Sequence, residues 1–184
     1  HFAACQEAGR EDWGNLEYLM DTAFQAHLQV SELSMENIGW NGQSFVDLNN
    51  RPIQNLFKLY PWEWIWEESF SQYLSPQSNW IEPCWKMLLS NKAILVELWK
   101  RYPNHPLLVE THHFDPQQKF SGKWVKKPIL AREGANIRVL QDGQDQGAAS
   151  GSFYFDDYDK YGYVVQKWVE TPLLAGQLPT LGLW

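Results

Sequence analysis

The most informative stretch of this chain runs Trp124-Val125-Lys126-Lys127-Pro128-Ile129-Leu130-Ala131-Arg132-Glu133-Gly134-Ala135-Asn136-Ile137. A strand delivers a lysine, a short loop with Arg132 and Gly134 follows, and a second strand returns. Glycine lets backbone N–H groups approach an anion closely, while Lys and Arg supply charge, so the pattern fits a hairpin that covers a phosphate. An ordinary basic β-hairpin has the same pattern. Lys92 adds an independent hint: if Ser90 caps a helix, Lys92 sits in its first turn, where the dipole disfavours a cation. A bound anion would remove that penalty, although a solvated lysine could also bear it. The stretch Tyr163-Val164-Val165-Gln166-Lys167-Trp168-Val169 reads as a strand whose backbone could meet a flat purine edge, or simply as a half-buried strand.

The rest of the chain reads as α+β or α/β in two lobes. His1 to Cys5 forms the end of a buried strand, and Leu16, Leu19, Met20, Ala23 and Phe24 recur at helical spacing, with Asp12 and Asn15 as candidate caps. Leu28 to Leu33 alternates as a strand and completes a β-α-β unit. A hairpin is expected next, with Ser44–Leu48 and Ile53–Leu59 flanking Asn49-Asn50-Arg51. Pro61 suits the first turn of a helix on which Trp62, Ile65, Trp66, Phe70 and Tyr73 share one face, with Trp64 off it. Ser75 to Asn79 is the candidate linker, which places the lobes at residues 1–79 and 80–184. In the second, Ser90 is expected to cap a helix from Asn91 to Tyr102, stopped by Pro103. Strands are predicted over 107–109, 123–129, 137–141, 153–155 and 163–169.

Composition narrows the function. The 184 residues are 44% hydrophobic and 20% charged, which excludes disorder. A net charge of -7 argues against neutralising a nucleic-acid backbone and favours a cationic partner. No apolar run approaches a membrane span. Cys5 and Cys84 make no disulfide framework and read as small core residues, and no metal-ligand spacing appears, so a reducing cytoplasm is the expected setting. His112 and His113 are adjacent and would face opposite sides of a strand, and Asp156, Asp157 and Asp159 lack the Gly and Glu of a calcium loop. The chain holds 11 Trp, six of them between Trp62 and Trp99.

Several separated motifs in one order carry a resemblance. Arg10-Glu11-Asp12-Trp13, Leu59-Tyr60-Pro61-Trp62-Glu63-Trp64, Glu82-Pro83-Cys84-Trp85-Lys86, Leu89-Ser90-Asn91-Lys92, Lys127-Pro128, Arg132-Glu133-Gly134-Ala135-Asn136 and Gln166 together resemble the glutathionylspermidine synthase family, a branch of the ATP-grasp ligases. The resemblance covers nearly the whole chain. It implies an ATP-grasp-type fold with a preceding α/β substrate-side lobe, and an enzyme that joins a carboxylic acid to an amine through an acyl phosphate. Such chemistry works by positioning reactants and stabilising phosphate charge, with ATP and Mg2+.

By position, Lys92 and Lys127 match the family's two lysines that hold ATP phosphates. Glu133 and Gly134 match its flexible loop over the nucleotide, and Gln166, Lys167, Trp168 and Val169 match its adenine-contacting strand. Arg132, beside that loop, is the catalytic candidate at the phosphate. Glu11 and Asp12 fall near the acidic pair that attracts the polyamine, although they could simply charge a helix N-terminus. Trp64 stands where the spermidine enzyme has a small hydroxyl residue, so an indole would reshape the amine pocket. The family's magnesium ligands fall before the matched region, and another part of the core would follow Trp184, so the chain reads as an incomplete fragment expected to be inactive alone. The substrates expected of the whole protein are a glutathione- or peptide-like acid and a polyamine-like amine, with no nucleic acid or membrane partner. The rival reading is an aromatic-rich binding module for sugar or peptide, in which several indoles would be coplanar and exposed. A glycosidase ranks third.

Overall fold

The computed structural model describes residues 1–6, 9–74 and 78–177, in two compact units, His1–Met87 and Leu88–Trp184. The first is built on β1 (Phe2–Ala4), α1 (Arg10–Gln25) and β2 (Glu32–Ser34), with β1 and β2 parallel. This is the expected β-α-β unit. Helix α1 starts after Gly9, so Asp12 and Asn15 lie inside it and neither is its cap. Leu16 is its fully buried residue, whereas Phe24 is 65% exposed.

The expected hairpin is corrected. Asn49-Asn50-Arg51 does form a turn, held by Asp47 Oδ1, which accepts from the N–H groups of Asn49 and Arg51 at 2.9 Å each. The antiparallel pair, however, joins β3 (Gly39–Trp40) to β4 (Phe45–Val46). After a single bridge between Val46 and Pro52, the chain leaves as β5 (Asn55–Leu59), which runs parallel to β1. Leu56 and Lys58 of β5 are 1% and 5% exposed, a burial that a sheet interior provides and a surface hairpin does not.

The Trp-rich helix is also shorter than its periodicity predicts. Pro61 precedes α2 (Trp62–Ile65), one turn long, and a 3-10 turn at Ser69–Tyr73 replaces the rest. Trp62 and Ile65 therefore enter the core while Trp66 is 49% exposed. Strand β6 (Asn79–Ile81) then pairs with β5 in parallel, giving sheet order β2-β1-β5-β6. That pairing puts Trp80 in the first unit rather than at the start of the second, and the division falls after Met87. Residues 75–77 of the candidate linker lie outside the described residues. Trp80 meets Phe45 edge-on, with ring centroids 5.6 Å apart, in a core with Leu33, Met35 and Ile53. Cys84 is exposed, against expectation.

After α3 (Met87–Ser90), α4 spans Ala93–Arg101. Ser90 ends α3 and is not the cap of α4. The N-cap residue is Lys92, and Asn91 Oδ1, one residue earlier, accepts from Ala93 N–H at 2.9 Å. The second unit continues with β7 (Thr111–His113), β8 (Lys123–Pro128), β9 (Arg138–Gln141), β10 (Gln144–Ala148) and β11 (Tyr163–Lys167). They form one antiparallel sheet, ordered β10-β9-β8-β11-β7. Val164 and Val165 are both 0% exposed, so β11 is covered on both faces. The predicted strands at 107–109 and 153–155 are irregular, and β10 was unpredicted because Gln144-Asp145-Gln146-Gly147-Ala148 has no apolar alternation. A bulge interrupts its register between Asp145 and Gly147.

Candidate nucleotide site in the second unit

Three adjacent strands, β8, β11 and the outer strand β7, bring Lys127, Gln166 and Thr111 side by side. Val125 and Val164, partners of Gln166 and Lys127 in the ladder, set β8 and β11 in register, and Thr111 faces Gln166 across β7. Lys127 Nζ donates to Gln166 Oε1 at 2.7 Å, Gln166 Nε2 donates to Thr111 Oγ1 at 3.1 Å, and the Thr111 hydroxyl donates to Val109 O at 2.8 Å. Burial pushes the Lys127 ammonium below the usual lysine range. The preceding residue faces the other side. Lys126 Nζ lies 3.8 Å from the Tyr163 ring centroid and 4.3 Å from that of Phe114.

Lys92 stands where α4 begins, as its N-cap residue and not in its first turn. Its N–H donates to Ile129 O at 3.0 Å and its Nζ to Ala131 O at 2.8 Å, which ties it to the chain just past β8. That segment leads into the turn Arg132-Glu133-Gly134-Ala135-Asn136. Glu133 and Asn136 both have φ of 55°, and Gly134 has 77°. Arg132 and Glu133 are exposed at its tip. Lys92, Lys127, Gln166 and the turn are thus assembled by neighbouring elements of a single unit.

Other expected residues are placed differently. Lys167 is exposed and reaches Glu110 at 3.7 Å, Val169 is 59% exposed, and the Trp168 ring packs 3.6 Å beneath Lys123 Nζ. Glu11 and Asp12 sit exposed in the first turn of α1, where their charge suits the helix dipole. Trp64, on α2, is half-buried with its ring 5.4 Å from that of Tyr60 at 72°. Sequence reasoning passed over Thr111 and weighed Asp159 only as part of a calcium loop. A lone Thr in a strand carries no motif, and Asp159 lies in a 3-10 turn.

Among the described residues, no group of three or more His, Cys, Asp or Glu could hold a metal ion, and no helix is long and apolar enough to cross a membrane. The described tryptophans do not make a platform. Only Trp66 and Trp85 are largely exposed, whereas Trp62, Trp80 and Trp124 are buried.

The family model described as glutathionylspermidine synthase preATP-grasp matches residues 1–184. The chain belongs to the glutathionylspermidine synthase family. A Haemophilus influenzae protein named "Putative acid–amine ligase" is 46% identical over 190 residues, covering 100% of this chain and 48% of that protein. The Crithidia fasciculata trypanothione synthetase is 24% identical over 133 residues, 58% of this chain and 20% of that one. The Escherichia coli bifunctional glutathionylspermidine synthetase/amidase is 22% identical over 170 residues, 76% and 27% respectively. The chain therefore spans half or less of the length of these relatives. Among solved structures, the RimK domain protein ATP-grasp from Sphaerobacter thermophilus superposes with a TM-score of 0.56 at 10% identity, over 93% of this chain and 65% of that one. The D-cycloserine synthetase DcsG gives 0.55 at 13% identity, over 90% and 58%. The fold is α+β of ATP-grasp type, in agreement with the sequence.

Proposed function

We propose that the protein to which this chain belongs is an ATP-dependent ligase that forms an amide between a carboxylic acid and an amine. The observation that carries the reading is Lys127: a half-buried ammonium that donates to a neutral amide, on the strand that leads into the Arg132–Asn136 turn. Removing a cation from water is costly, and a phosphate oxygen is a partner that would offset that cost. Lys92 and Arg132 are the further cations for the phosphates, with Glu133 and Gly134 over them. Gln166, Lys167, Trp168 and Val169 are assigned to the adenine side. Glu11, Asp12 and Trp64 are assigned to the amine. ATP and Mg2+ are the expected cofactors, the metal ligands being supplied by residues other than those described here.

In the proposed reaction the acid's carboxylate attacks the γ-phosphorus, the bond to the β-phosphate oxygen breaks, and ADP leaves. The deprotonated amine then attacks the acyl carbon, phosphate departs with the C–O bond electrons, and the nitrogen loses its second proton to solvent. The chain's own residues contribute positioning and positive charge rather than a nucleophile. Membership of a family whose relatives include named synthetases supports the reading. The acid is expected to be glutathione- or peptide-like, the amine polyamine-like, and the setting cytoplasmic, where ATP is available. The test is Mg-ATP binding to the full-length protein. Lys127→Ala and Lys92→Ala are each expected to weaken it at least about tenfold, and unchanged affinity in both would refute the assignment.

A further inference from the structure

The Arg132–Asn136 turn has an exposed tip and a buried foot. Ala135 and Asn136 are 1% and 6% exposed, while Arg132 and Glu133 face solvent. A carboxamide has one acceptor oxygen and two N–H donors, and at Asn136 all three are used. Its Oδ1 accepts from Phe155 N–H at 2.7 Å, and its Nδ2 donates to Phe155 O and to Asp159 Oδ1, each at 2.7 Å. Its own backbone N–H donates to Phe153 O at 2.8 Å. One side chain thus acts as the hydrogen-bonding partner of a stretch that has no strand beside it.

We propose that Asn136 is a positioning residue, whose clasp on Phe155 and Asp159 sets the conformation of the Arg132–Gly134 turn. The value of this for nucleotide binding rests on the ligase reading above. The left-handed backbone at Asn136 suits Asn, which tolerates positive φ and keeps a short polar arm. A glycine would keep the conformation and lose the arm. An aspartate would lose both donors and set a second carboxylate against Asp159.

Four further hydrogen bonds extend the device. Asp159 also accepts from the hydroxyls of Tyr154, at 2.9 Å, and of Tyr163. Tyr163 opens β11, the strand that carries Gln166. At the other side of the turn, Ser152 Oγ donates to Gly134 O at 2.7 Å and accepts from Ile137 N–H at 2.9 Å. The segment from Ser152 to Tyr163 therefore grips the turn from Gly134 to Ile137 and ties it to the strand of the nucleotide site.

The test is limited trypsinolysis of the full-length protein, reading cleavage after Arg132 against cleavage elsewhere. Asn136→Gly keeps the backbone conformation and removes the clasp, so cleavage after Arg132 without nucleotide is expected to rise about tenfold. Saturating Mg-ATP should restore protection, and KM for ATP should rise more than kcat falls. If Asn136→Gly fails to fold, Ser152→Ala removes the second grip from outside the turn, and faster cleavage after Arg132 is again expected. A wild-type cleavage rate in whichever variant folds overturns the proposal. Failure of the ligase reading has a separate signature: the difference between wild type and variant persists, but Mg-ATP protects neither.

Discussion

Lys127 and Gln166 are diagonal neighbours on adjacent antiparallel strands, and the ammonium donates to the amide oxygen at 2.7 Å. The orientation of that amide is set one strand further on. The Thr111 hydroxyl gives its single hydrogen to Val109 O, so it can only accept from Gln166 Nε2, which turns the Gln166 oxygen toward the lysine. An amide flipped the other way would present N–H groups to a cation.

Thr111→Val tests this chain of bonds. Thr111 is 0% exposed, so the substitution keeps the volume and removes the acceptor of the half-buried Gln166 N–H, at a cost of about 1 kcal/mol. Mg-ATP affinity of the full-length protein should fall with stability, and Thr111→Ser, which keeps the hydroxyl, should restore affinity. Denaturant unfolding and nucleotide titration of the two variants check the outcome.

Gly134→Ala separates conformation from crowding. A Cβ there would meet only Ile137 Cδ1 at 4.0 Å, so space is available, but φ of 77° disfavours any side chain. The expected cost is about 1–2 kcal/mol, read as a lower unfolding midpoint together with weaker Mg-ATP binding.

The Asp159 cluster predicts a dependence on acid. Burial raises the Asp159 carboxyl, but hydrogen bonds from Tyr163, Asn136 and Tyr154 outweigh it and hold the pKa below the usual carboxylate range. A group depressed on folding stabilises above its unfolded pKa, about 3.9 for Asp, and that contribution is lost as pH falls through the folded value. The stability difference between wild type and Asp159→Asn should therefore be full at neutral pH and shrink steadily below about pH 4. Thermal unfolding of both proteins across that range measures it, and a difference that grows in acid would contradict the assignment.

The first unit offers a contrast between neighbouring indoles. Trp62 is 4% exposed and Trp66 is 49% exposed. Trp62→Ala should cost about 3–5 kcal/mol, whereas Trp66→Ala should cost under about 1 kcal/mol. Chemical denaturation of the two variants distinguishes a one-turn helix from the longer amphipathic helix that the spacing suggests.

What the sequence revealed followed from local pattern. The strands around Lys127 and Gln166, the β-α-β unit and the amphipathic face of α4 all carry their signal in consecutive residues. The failures came where a distant partner decided. Residues Ile53–Leu59 look like the return arm of a hairpin after a good turn, yet burial of Leu56 and Lys58 sends β5 into the parallel sheet. Ser90 belongs to α3, so α4 begins at Ala93 and Lys92 becomes its N-cap residue rather than part of its first turn. Within the candidate site, the residues with charge were legible because charge is rare and patterned. The roles of Thr111, which orients the Gln166 amide, and of Asp159, which holds Asn136, were not, because a hydroxyl or carboxylate acquires such a task only through neighbours 55 and 23 positions away in sequence.

The bulge in β10 has a consequence for how the protein behaves at high concentration. β10 is the last strand at its end of the sheet, and its residues Gln144 to Gln146 are exposed. A flat outer strand would be a template on which another chain could dock and propagate. Here the register breaks between Asp145 and Gly147, Gly147 has φ of 106°, and the Asp145 carboxylate is tied to Arg138. The backbone is twisted away from a straight ladder and a charged pair stands beside it. Apart from the small Ala148 the exposed side chains of β10 are polar, so the strand is expected to resist docking of another chain rather than seed a fibril.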